Sequence, residues 1–77
     1  MTREADILRD RRHELGLHQT DICAEVGMSL QQYQRFEYGT RDVTRLNAKD
    51  FLRICAALEL DPYELAFEDG VDLAGKT

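Results

Sequence analysis

Between Gln19 and Tyr38 two short helical periods are separated by a break of about three residues built on Gly27. This break constrains the fold more than any other feature. The first period, about Gln19 to Val26, turns Ile22, Cys23 and Val26 inward. The second opens at Ser29, whose hydroxyl is suited to an N-cap and which Gln32, three residues on, would complete as a capping box. It runs to Tyr38 and stops at Gly39, with Tyr33 and Phe36 on its apolar side. Cys23 is small enough for the two helices to approach closely, and Gly27 can take the positive φ that such a turn needs. Two short helices joined in this way have the layout of a helix-turn-helix.

The flanking segments are helical as well. Ala5, Leu8, Arg12 and Leu15 fall on one face of a first helix from about Arg3 to Leu15, closed by Gly16 and Leu17. A polar connection, Thr40 to Leu46, leads to a fourth helix capped by Asn47, with Phe51, Ile54, Cys55 and Leu58 as its apolar stripe. Asp61-Pro62, with Glu64 at the third helical position, starts a short fifth helix. No segment alternates with period two, so the expectation is an all-α domain, a compact five-helix bundle spanning residues 1–67. An acidic, flexible tail, 68–77, is expected to follow it. A chain of 77 residues buries only about 60–65% of the surface its unfolded form exposes, so its core must be compact.

Charge divides the chain. The net charge is −5, yet residues 1–54 carry nine Lys/Arg against nine Asp/Glu and are neutral. The excess lies in 55–77, where one lysine faces six acids. Phosphate affinity is set by local patches more than by the molecular sum, so the body remains compatible with DNA. The acidic 59–72 stretch is either a solubilising tail or a surface for a basic protein partner. No apolar run approaches the roughly 18 residues of a membrane span, and no signal peptide is evident, which places the expected location in the cytoplasm.

The helix from Ser29 to Tyr38 has two faces. Tyr33 and Phe36 point to the core with Glu37 beside them, while Leu30, Gln31, Gln34, Arg35 and Tyr38 share the other side. Those outward residues are hydrogen-bonding, aromatic, apolar or basic, and none is acidic. Glutamine can pair with adenine N6/N7, arginine with guanine O6/N7, and leucine with a thymine methyl. Arg12 is the anomaly of the first helix. It sits within the apolar stripe, where an unpaired charge would be costly, and Glu37 at the edge of the third helix's buried face is its expected partner.

Arg12-His13-Glu14-Leu15-Gly16-Leu17-His18-Gln19, with Ile22, Gly27, Ser29, Glu37, Gly39 and the Ile54–Leu58 stretch, resembles the lambda-repressor/Cro family of helix-turn-helix domains, often called the XRE type. The resemblance spans about residues 7–66. It implies a phosphate contact from Gln19, base contacts in the major groove from Leu30, Gln31 and Arg35, and contacts nearer the sugar-phosphate backbone from Gln34 and Tyr38. Arg41, Arg45 and Lys49 would extend that backbone contact. It also supports the Arg12–Glu37 pair. Three features depart from the family pattern. Leu30 stands where a polar residue is common, Tyr33 where a branched aliphatic is typical, and the Thr40–Leu46 connection is longer than in the simplest members.

The expected function is a sequence-specific DNA-binding transcriptional regulator, a repressor, binding a palindromic operator as a homodimer and encoded by a bacterium or phage. The fourth and fifth helices, with Tyr63, Leu65 and Phe67, either form the dimer surface or close the monomer core. The other class is a protein-interaction module, such as the antitoxin of a toxin–antitoxin pair. Cys23 and Cys55 are expected in the core and His13 and His18 on the surface. No cofactor or metal is expected, because no Cys/His ligand spacing is present. Catalysis is not expected, because no nucleophile–base–orienter set can be found.

Overall fold

A computed structural model describes residues 2–67, and the expected acidic tail, 68–77, lies outside the described residues. The described chain forms five helices and no strand: α1 (Arg3–Glu14), α2 (Gln19–Val26), α3 (Leu30–Tyr38), α4 (Ala48–Ala57) and α5 (Pro62–Ala66). The boundaries follow from local chemistry. Thr2 Oγ1 accepts from Ala5 N at 3.1 Å, Ser29 Oγ from Gln32 N at 3.1 Å, Asn47 Oδ1 from Asp50 N at 2.8 Å, and Asp61 Oδ1 from Tyr63 N at 2.9 Å. Each satisfies one of the amides that a helix start leaves without an intrahelical partner. At Ser29 only this half of the expected capping box forms. At α2, whose N-cap is His18, the bond runs the other way, from His18 N to the Asp21 carboxylate at 2.8 Å.

The turn between α2 and α3 depends on Gly27, which takes φ 82°; the amides of Gly27 and Met28 then both reach back to Cys23 O, at 2.8 and 3.2 Å. No heavy atom outside its neighbours lies within 4 Å of the place where a Cβ would stand, so glycine is needed there for its backbone and not for space. The polar Thr40–Leu46 connection holds a short element of its own. Val43–Arg45 form a 3-10 turn capped by Asp42, and Val43 is buried in the core.

α1 packs on α3, α2 lies between α3 and α4, and α5 touches α1 and α4. Leu8, Ile22, Tyr33, Phe36, Val43, Ile54, Leu58 and Leu65 form the centre of the core, with Leu15, Leu17, Met28, Leu46 and Phe51 partly buried against it. Leu65 therefore closes the monomer, whereas Tyr63 is exposed and stacks on Phe67 at 6.3 Å between ring centroids. Cys23 and Cys55 are buried free thiols, and burial pushes the pKa of Cys55 up to about 11 and raises that of Cys23. Both stay protonated and act as small apolar side chains.

α1 also completes the other helices from outside. Arg9 donates to Glu37 O in the last turn of α3, Arg11 to Leu58 O at the end of α4, and Arg3 to Glu64 O and Leu65 O in α5. Last-turn carbonyls lack intrahelical donors and carry the negative end of the helix dipole, so a guanidinium satisfies both needs.

Tyr33 is fully buried, yet its hydroxyl has no hydrogen-bond partner among the described residues. Burial, and then hydrogen bonding and charge from the Glu37 carboxylate that the hydroxyl faces, raise its pKa far above the ordinary tyrosine value. Removing the hydroxyl relieves a desolvation cost but gives up this weak contact, so Tyr33→Phe is expected to change stability by less than about 1 kcal/mol in urea denaturation. A larger loss would show that the hydroxyl is bonded.

Candidate nucleic-acid interface

Apart from Gln19, which opens α2, the residues expected to meet DNA lie on α3, on the ordered stretch that follows it and on the first turn of α4. Gln31, Arg35 and Tyr38 recur along one exposed side of α3, at spacings of four and three, and Leu30 at its first turn is 39% exposed. Behind them Tyr33, Phe36 and Glu37 are buried. Gln34 sits between the two sides and is half-buried.

Beyond Gly39 the chain folds back over the end of α3. Arg35 O accepts from Thr40 N at 3.0 Å, from Thr40 Oγ1 at 3.1 Å and from Arg41 N at 3.2 Å. Asp42 then accepts from Thr44 N at 2.9 Å and from Thr44 Oγ1 at 2.7 Å, bonds that hold its pKa below the usual carboxylate value. With Val43 anchored in the core, Arg41 and Arg45 project from a fixed turn, and Lys49 from the first turn of α4. All three are exposed.

Ion pairing sorts the cations. Arg3, Arg9, Arg11 and Arg12 of α1 all pair with carboxylates. Arg35, Arg41, Arg45, Lys49 and Arg53 enter no ion pair among the described residues. The neutral sum over residues 1–54 thus conceals unpaired positive charge along α3, the following turn and α4. Sequence reasoning did not separate the two groups, because the α1 arginines find their carbonyl and carboxylate partners only in the folded chain.

Arg12 and Glu37 form the expected pair. Arg12 Nε lies 2.7 Å from Glu37 Oε2 and Nη2 lies 3.0 Å from Oε1, a two-bond clasp, while Nη1 donates to Leu17 O at 3.1 Å. The side chains are 11% and 1% exposed. Burial alone would raise the Glu37 pKa, but the hydrogen bonds and charge of Arg12, aided by the nearby Tyr33 hydroxyl and by Gln19, outweigh it and hold the pKa below the ordinary value. Gln19, expected to contact a phosphate, donates from Nε2 to Glu37 Oε1 at 3.0 Å and accepts at Oε1 from Gln34 Nε2 at 3.1 Å. The family resemblance implied a DNA contact for each glutamine but gave no sign that they bond to each other.

His13 and His18 are exposed. No helix among the described residues is long and apolar enough to cross a membrane. A family model described as a helix-turn-helix domain matches residues 5–67. No curated protein and no solved structure matches the chain.

Arg12→Ala would leave Glu37 buried and unpaired, at a cost of about 3–5 kcal/mol at neutral pH. The pH dependence should also change sign. In the parent, the depressed Glu37 pKa means that the stabilisation is complete above the ordinary carboxylate value of 4.5 and is lost as pH falls through the lower folded value. In Arg12→Ala burial outweighs the remaining hydrogen bond from Gln19 and raises the folded pKa, so the deficit should narrow as pH falls toward about 4. Denaturant midpoints across that range provide the check; a deficit that stays constant would mean that the Glu37 pKa is not raised in the variant's folded state.

Proposed function

Because the chain belongs to the helix-turn-helix domain family, we propose that it is a sequence-specific DNA-binding transcriptional regulator, acting as a repressor, with α3 in the major groove. The observation that carries this reading is the fate of Glu37. It is the only acid of α3, and it is withdrawn into the core and neutralised by Arg12. What α3 offers outward is free of negative charge, as a helix lying between two rows of phosphates requires. Leu30, Gln31 and Arg35 are assigned to base edges, where leucine suits a thymine methyl, glutamine an adenine and arginine a guanine. Gln19, Tyr38, Arg41, Arg45 and Lys49 are assigned to the backbone, which fixes register without carrying sequence.

One nine-residue helix reaches few bases. A homodimer on a palindromic operator multiplies both affinity and specificity, and Leu52 and Tyr63 are large apolar side chains left exposed away from α3. Leu65, buried in the monomer, takes no part in that surface. Bound across a promoter, such a dimer represses by occupancy.

Selection from a random duplex library, followed by salt titration on the winning site, tests the proposal. A two-fold symmetric site is expected, with Arg35→Ala losing about 1–3 kcal/mol of discrimination at one base pair. Lys49→Ala should weaken every sequence equally and reduce the log–log salt slope by about 0.9. Failure to enrich any site at low salt would overturn the reading in favour of a protein partner.

A further inference from the structure

The Arg12–Glu37 pair does not end in the core. A carboxylate only accepts hydrogen bonds, so the Gln19 amide must turn its NH2 group toward Glu37, as it does at 3.0 Å. Its oxygen is then forced outward and needs a donor, which Gln34 Nε2 supplies at 3.1 Å. The sense of every bond in Glu37–Gln19–Gln34 follows from the buried negative charge. Gln34 is left with its Oε1 and one N–H unused, an acceptor beside a donor. A phosphate oxygen could use only the N–H. The major-groove edge of adenine, N6–H with N7, uses both, whereas guanine presents two acceptors, O6 and N7.

We propose that Gln34 is a specificity-determining residue that reads adenine, and that Glu37, acting through Gln19, is the positioning residue that sets this preference. The inference rests on α3 lying in the major groove. Glu37→Gln reverses the relay. The new amide keeps its oxygen on Arg12 Nε, gives up the bond from Arg12 Nη2, and turns its NH2 group toward Gln19; Gln19 rotates to accept, and its own NH2 group then faces Gln34. Gln34 turns its oxygen inward and presents two N–H groups outward, which suit guanine. A substitution buried in the core thus changes the base read at the surface.

The test measures Kd for the full chain on the selected operator and on versions carrying A or G at each base pair. The parent should prefer adenine at one pair by roughly 10-fold or more, a preference that Gln34→Ala abolishes. In Glu37→Gln the preferred base at that pair should become guanine. Gln19→Leu cuts the relay and leaves the Arg12–Glu37 pair in place, so it should fold and should lose most of the discrimination while preferences elsewhere persist. It decides the matter if Glu37→Gln does not fold. Uniformly weaker binding with the adenine preference intact, in Glu37→Gln or Gln19→Leu, would overturn the inference, as would an unchanged profile in Gln34→Ala. A parent that selects no site would overturn the regulator reading itself, an outcome distinct from these.

Discussion

The bidentate pair between Arg12 and Glu37 is the interaction on which the rest of the molecule depends. It joins α1 to α3 through two hydrogen bonds of 2.7 and 3.0 Å, and a third guanidinium bond, to Leu17 O, fixes the connection into α2. Placing two charges in a core is expensive unless nearly every polar atom finds a partner. Here the guanidinium fork matches the carboxylate, and Gln19 supplies a further bond to the carboxylate. The pair adds to Tyr33 and Phe36 in holding the rotation of α3, and with it the direction in which Gln31 and Arg35 point.

α1 therefore acts as a brace whose arginines complete α3, α4 and α5. A domain this small has little apolar surface to bury, and each short helix leaves a large share of its carbonyls without intrahelical partners. Meeting those carbonyls from a neighbouring helix ties secondary structure to tertiary structure. The same arrangement divides the labour among the cations. Arginines in α1 are held by carboxylates and helix ends, and those from Arg35 onward enter no ion pair among the described residues.

What the sequence disclosed follows the same physical line. Helix limits were legible because they are set locally, by Gly27, Ser29, Asn47 and Asp61 acting on amides within three residues. The Arg12–Glu37 pair was legible because a charge inside an apolar stripe demands a partner. Val43 was not, since a three-residue 3-10 turn has no periodicity to detect. Nor were the carbonyl partners of Arg3, Arg9 and Arg11, or the bond between Gln19 and Gln34. These join residues distant in sequence, and only the packing of α1 against α3, α4 and α5, and of α2 against α3, brings them together. Leu65 was legible as buried somewhere, but whether within one copy or between two depends on where α5 docks.

The distribution of charge separates two tasks that a DNA-reading surface must perform. The side chains of α3 that could select a base are mostly neutral, so their preference rests on hydrogen-bond sense and shape, which salt screens little. The cations that could hold the backbone follow on Arg41, Arg45 and Lys49, at positions fixed by the Asp42-capped turn and the start of α4. Exposed charges act within about 8–10 Å at physiological ionic strength. A cation fixed near the groove therefore outweighs acids placed beyond that range, whatever their sum. The net charge of −5 thus describes the composition and not the surface that α3 presents.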